Sequence, residues 1–207
     1  MNKTDIPITM NIQHIKKIVI LLSAIRLLPH IILYNSHKSK KIIQYDVERW
    51  LKLTSSEKNI QFGFIKLMTF FPEYRNLFYR RIGRYSLVIN WLCPKMNTLF
   101  ILTKEIGPGL FIEHGFATII SAKSIGRDCW INQQVTIGYS NKTDCPEIGD
   151  YVTIGAGAKI IGRVKMGNNS IAGANTVVVK DVPENCTVVG IPAYIIRRNG
   201  IKVKEKL

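Results

Sequence analysis

From Ile106 to Val178 an aliphatic residue returns at a nearly constant step of six: Ile106, Ile112, Ile119, Ile125, Ile131 and Ile137, then Ile148, Ile154, Ile160, Met166, Ala172 and Val178. Glycine follows it at Gly107, Gly126, Gly138, Gly149, Gly155, Gly167 and Gly173. The fifth position of a block is small or branched, as at Val135, Val152, Ala158, Val164, Ser170, Thr176 and Val182. This period matches neither the turn of a helix nor the alternation of a half-buried strand. It requires a solenoid whose coil closes after a whole number of blocks. Three short strands per turn make a triangular prism, with the recurring aliphatic pointing inward onto its counterpart in the next coil. Two steps break the register. Ile137 to Ile148 spans eleven residues, so about five residues within 140–146 leave the prism as a loop, and in repeat proteins such insertions often belong to a binding face. Ile112 to Ile119 spans seven, around Glu113 and His114, and the two irregularities are expected to bracket the functional site.

Upstream, the pattern turns helical. Residues 13–34 form the most apolar run, interrupted by Arg26, Pro29 and His30, and its unbroken part is too short to span a bilayer. With Lys16 and Lys17 at one end and Lys38, Lys40 and Lys41 beyond the other, the run suits either an anionic membrane surface or a helix packed in an oligomer, and Pro29 kinks or ends it. Ile42, Ile43, Val47, Trp50 and Leu51 mark an amphipathic helix stopped at Thr54, after which Ser55 or Ser56 is placed to cap the next. That next helix covers Ile60 to Phe71, Pro72 breaks it, and Glu73 to Trp91 continues at mixed helical spacing up to the boundary at Pro94. The expected organisation is a helical region over 1–100, a solenoid over 101–193 with the loop at 140–146, and a basic tail over 194–207. The helices would cover the apolar first coil.

Charge adds one asymmetry to this picture. Residues 1–100 carry 16 Lys or Arg against 5 Asp or Glu, and residues 101–207 carry 13 against 9. Such an excess suits nucleic acid, an anionic membrane or a phosphorylated ligand, and no nucleic-acid motif favours the first. Four cysteines, Cys93, Cys129, Cys145 and Cys186, lack framework spacing, and no cleavable signal precedes them. Reduced thiols in a cytosolic protein are therefore expected, with residues 13–34 able to hold it to the inner face of the cytoplasmic membrane. One histidine of the four, His114, lies inside the solenoid, so a three-histidine zinc site is out of reach and no metal is expected.

The segments IGPGLFIEHG, IGYSNKTDCPEIGDYVTIGAGAKIIGRVKMG and VVVKDVPENCTVVGIPA resemble the serine O-acetyltransferase branch of the hexapeptide-repeat acyltransferases, densely over Ile106 to Ala193 and weakly through PEYRNLFYRRIG. The resemblance implies a left-handed parallel β-helix with an N-terminal α-helical domain, assembled as a homotrimer that binds acetyl-CoA between neighbouring prisms. By the same resemblance His114 is the general base, a role suited to an imidazole titrating near neutrality. Glu113 would orient it or hold an acceptor hydroxyl. Ala156 and Ala174 would leave room for the pantetheine arm, Val179 and Lys180 would follow on the same groove, and Lys180 and Arg197 would meet the nucleotide phosphates.

Departures from the branch point to a different acceptor. The acid that orients the histidine is replaced by Leu99, and the Arg-His pair before the loop proline by Asp144 and Cys145. An acid in place of a guanidinium disfavours an amino-acid carboxylate. The Cys-Pro loop resembles acetyltransferases of capsular and exopolysaccharide synthesis, which makes a saccharide hydroxyl the expected acceptor, held by Asn141, Thr143, Asp144 and Cys145. Serine acetyl transfer and a non-catalytic solenoid scaffold remain the alternatives.

Overall fold

The computed structural model describes residues 8–54 and 57–207, with side chains from residue 14 onward, and within them a helical region feeds directly into a β-solenoid. Helix α1 (Ile8–Arg26) and α2 (Leu28–Ser36) are bent by 74° with Pro29 in the first turn of α2, where its missing N–H costs nothing. Helix α3 (Lys40–Thr54) follows, and α4 (Ile60–Phe70) begins at Asn59, whose Oδ1 accepts the Phe62 N–H at 3.0 Å. The cap expected at Ser55 or Ser56 lies outside the described residues. Helix α5 (Pro72–Ile82) ends where Gly83 takes a φ of 59°, and only a single 3-10 turn and the short α6 (Ser86–Ile89) come after it. Glu73 to Trp91 is therefore not one helix, because Gly83 enters the left-handed region that a continuing helix excludes.

The solenoid has three faces of parallel strands. The first holds β1 (Leu99–Ile101), β4 (Thr118–Ile120), β7 (Thr136–Gly138), β10 (Lys159–Ile161) and β13 (Val177–Val178). The second holds β2 (Glu105–Ile106), β5 (Ser124–Ile125), β8 (Glu147–Ile148) and β11 (Lys165–Met166). The third holds β3 (Phe111–Ile112), β6 (Trp130–Ile131), β9 (Thr153–Ile154), β12 (Ile171–Ala172) and β14 (Cys186–Val189), followed by β15 (Tyr194–Arg198) and β16 (Ile201–Lys206). This is the left-handed β-helix of about five turns with an N-terminal helical region. Register follows the repeat: Ile119 stands against Thr136, Ile125 against Ile148, Ile131 against Ile154, and Ile160 against Val178. The inward aliphatics Ile125, Ile131, Ile137, Ile148, Ile154, Ile160, Met166, Ala172 and Val178 are all buried, while Ile119 is the outward neighbour of buried Ile120. The inward step from Ile112 is therefore eight residues, to Ile120, and is followed by one of five to Ile125, in place of the expected seven and six. The basic segment 194–207 is a hairpin rather than a free tail, with β15 and β16 running antiparallel to extend the third face.

The helices cover the third face at its first coil. Trp50 lies edge-on to Phe111 at 4.6 Å, and its indole N–H donates to the Leu110 carbonyl at 2.8 Å. Beside it, the buried Arg81 and Asp46 form an ion pair at 2.8 Å, and the Asp46 carboxylate accepts the Gly109 N–H at 2.6 Å. This joint fixes the chain just before Glu113 and His114.

Candidate functional site

The corner where the third face turns into the first carries the chemistry. Coil by coil it is made of Glu113-His114-Gly115, Asn132-Gln133-Gln134, Gly155-Ala156-Gly157 and Gly173-Ala174-Asn175. Hydrogen bonds stack these corners: Gln134 N–H on the Phe116 carbonyl at 3.0 Å, Gly157 N–H on Gln133 at 3.0 Å, and Asn175 N–H on Ala156 at 2.8 Å. The structure thus brings His114, Ala156 and Ala174, distant in sequence, onto one edge of the prism with the exposed imidazole toward one end. His114 has a φ of 62°, a left-handed turn conformation that Gln134 (59°) and Asn175 (56°) also take at this corner of other coils.

Neighbours the sequence did not flag complete this corner. Glu113 is half-buried, and the Trp130 indole N–H donates to its Oε2 at 3.0 Å. Trp130 packs edge-on to Phe111 at 4.9 Å, which rests on Trp50, so the helical region holds the indole that orients this carboxylate. Leu99 lies close to Gly115, as the resemblance implies, and offers no acid. Glu73, in the first turn of α5, does: a Cβ added to Gly115 would come within 2.7 Å of the Glu73 Cγ. Gln133 has its Oε1 buried without a donor. Nothing local in the sequence marks Glu73, which lies 41 residues from His114, whereas Trp130 and Gln133 could be found by counting corner positions down the repeat.

The loop after β7 is elsewhere. It leaves the corner between the first and second faces, so a single protomer places it across the first face from His114, and the two irregularities do not converge. Its polar groups bond to one another. Asn141 Oδ1 accepts the N–H groups of Thr143 at 2.8 Å and Asp144 at 2.9 Å, and Asn141 Nδ2 donates to Asp144 Oδ2 at 2.7 Å. The Arg163 guanidinium stands 3.7 Å from the other Asp144 oxygen, and the Cys145 thiol faces the Ser121 carbonyl at 3.6 Å. Asn141 and Asp144 therefore build the loop, and the Asp144 charge is already answered by a cation. Both physical grounds for a saccharide acceptor are weakened by this closure.

Of the other expected ligand residues, Val179 and Lys180 line a groove of about 730 Å³ with Ile191, Tyr194 and the end of the C-terminal hairpin. Lys180 Nζ donates to the Leu207 carbonyl at 2.9 Å. Arg197 is exposed on β15 and does not line this groove. Among the described residues no three His, Cys, Asp or Glu side chains are grouped to hold a metal ion.

No family model matches the chain. A curated relative, the serine acetyltransferase of Synechococcus elongatus, is 43% identical over 103 residues, 48% of this chain and 42% of that protein. The chain thus spans less than half the length of this relative. Among solved structures, the serine acetyltransferase of Neisseria gonorrhoeae superposes with a TM-score of 0.65 at 27% identity, covering 83% of this chain and 69% of that one. A serine acetyltransferase in complex with CoA superposes at 0.62 with 24% identity, covering 86% and 83%. These relatives overturn the saccharide acceptor and the likeness to capsular acetyltransferases drawn from Asp144 and Cys145. The chain has the hexapeptide-repeat acetyltransferase fold, with serine acetyltransferases among its relatives.

Proposed function

We propose that the protein transfers an acetyl group from acetyl-CoA to the hydroxyl of L-serine. The observation that carries this is the single edge joining the exposed His114 to the small residues Ala156 and Ala174, in a chain whose relatives are serine acetyltransferases. His114 takes the hydroxyl proton as the serine oxygen attacks the thioester carbonyl. The tetrahedral adduct collapses, the C–S bond breaks, and the departing CoA thiolate recovers the proton from the imidazolium. Glu113, held by Trp130, and Glu73 supply the carboxylates that Leu99 does not; one orients His114 and the other faces the serine ammonium.

Acetyl-CoA fits the edge physically. Alanine and glycine at successive corners let an extended arm lie against the backbone. Within one protomer Val179 and Lys180 follow β13 at the corner between the first and second faces, and Arg197 stands on β15, so none of the three joins the His114 edge. A homotrimer belongs to the same proposal. The first face exposes Phe100 and Ile119 in register, and the 140–146 loop is on the wrong corner for its own His114 but free to approach a neighbour's. Incubating the protein with acetyl-CoA and L-serine and following thiol release with mass detection of O-acetylserine tests the function. Serine-dependent release is the expected result, and thiol release that L-serine does not raise above acetyl-CoA alone refutes it.

A further inference from the structure

Helix α1 presents its most apolar arc to solvent. Ile18, Leu21, Leu22 and Ile25 are 55%, 64%, 65% and 69% exposed, while Ile20, Ser23 and Leu27 on the opposite side are buried. At about 100° per residue the four exposed side chains share one arc, and Lys17 and Arg26 border its two sides. The spacing continues past the bend into α2, where Leu28 and Ile32 are exposed. No single helix among the described residues is long and apolar enough to cross a membrane, and the 74° bend keeps the pair from forming one rod.

One feature says what covers this arc. Residues 14–45 contain six Lys or Arg and no Asp or Glu, so a second copy docked here would set two acid-free cationic segments against each other. Lys17 and Arg26, at the two borders of the arc, match phosphate headgroups beside an acyl layer, since long cationic side chains reach headgroups while their carbons stay in the apolar layer.

We propose that the exposed face of α1 and α2 is a docking surface for an anionic lipid bilayer, on which it lies in the interfacial plane with Lys17 and Arg26 at the headgroups. The arrangement is that of an interfacial amphipathic helix, in which apolar insertion and attraction to anionic lipid act together. It is independent of the reaction, because none of these residues belongs to the His114 edge.

The test is sedimentation of the full chain with phosphatidylcholine vesicles, with and without phosphatidylglycerol, at low and high salt. The expected result is binding at least about tenfold stronger to the phosphatidylglycerol vesicles, weakened by salt. The paired substitution Leu21→Glu and Leu22→Glu is expected to lower it by about tenfold or more, with acetyl transfer in solution unchanged. Should that pair not fold, Lys16→Gln with Lys17→Gln, both exposed, is expected to weaken vesicle binding and leave the melting temperature in place. Equal binding to both vesicle types, or full binding by the folded variants, overturns the proposal. So does a wild-type chain that ignores vesicles but loses its oligomeric state on Leu21→Glu, which assigns the face to a second copy.

Discussion

Replacing Arg81 by methionine should detach the helical region from the first coil, because this guanidinium joins the two. Its Nε donates to Asp46 Oδ2 at 2.8 Å and its Nη2 to Oδ1 at 3.2 Å and to the Gly107 carbonyl at 2.7 Å, while Nη1 donates to the Ile106 carbonyl. The Arg81 side chain is 8% exposed and that of Asp46 1%. Arg81→Met keeps much of the stem but strands a buried carboxylate, a change that costs about 3–5 kcal/mol. Burial already pushes the Asp46 carboxyl above its ordinary range despite the attraction of Arg81, so protonation relieves part of the loss and the expected cost is about 3 kcal/mol. For a chain of this size that is a fall of roughly 6–12 °C in Tm. The pair's desolvation also predicts that Asp46→Leu combined with Arg81→Met is less damaging than Arg81→Met alone, with about 1–2 kcal/mol recovered. Urea unfolding at pH 7, with the m-value checked for constancy, measures Arg81→Met, Asp46→Leu and the double variant. A single-variant cost below about 1 kcal/mol, or a double variant as costly as the two singles added, refutes the reasoning.

Trp130→Phe keeps a ring against Phe111 but removes the donor to Glu113, and should lower kcat/KM for L-serine about tenfold while acetyl-CoA binding and Tm hold, as steady-state kinetics with a melt would show. Ala174→Phe fills the shared edge and should raise the KM for acetyl-CoA at least about tenfold, with the serine KM within about twofold. His30 sets a pH dependence. Burial, with Arg26 and Arg75 nearby, holds its imidazole down at about 4, and the Tyr79 hydroxyl, donating to the Cys93 carbonyl at 2.6 Å, leaves Nε2–H to donate to Tyr79 at 2.9 Å. The unfolded chain takes that proton near pH 6.5 and the folded one only near 4, so this stability is full above about 6.5 and lost as pH falls toward 4, by at most about 3 kcal/mol. In urea unfolding at pH 7 and pH 4.5, His30→Gln should narrow the difference; an unchanged difference contradicts the assignment.

The solenoid was legible because each inward position reports the same environment many times over, from Ile125 to Val178, and one misplaced residue does not hide the period. The corners were legible only in part. His114 stood out as the sole histidine in the repeat, but Trp130 and Gln133 occupy ordinary repeat positions and gain meaning only when coils stack. Glu73 was hidden for a different reason: it reaches Gly115 through the docking of α5, and no periodicity links a helix to a coil. The loop misleads because in the linear sequence Asp144 and Cys145 stand as an isolated charge and an isolated donor. Asn141 folds the loop onto itself and Arg163 answers Asp144, contacts that a linear chain does not display. Gly83 likewise ended α5 where the apolar spacing alone ran on.

In the proposed reaction His114 acts as the base on an edge that binds acetyl-CoA independently of it. The most direct test is to compare the wild-type chain with His114→Ala, measuring serine-dependent thiol release from acetyl-CoA and CoA affinity by calorimetry on the same samples. Turnover is expected to fall by about 100-fold or more with the CoA Kd within about twofold. Near-normal turnover in His114→Ala would contradict it.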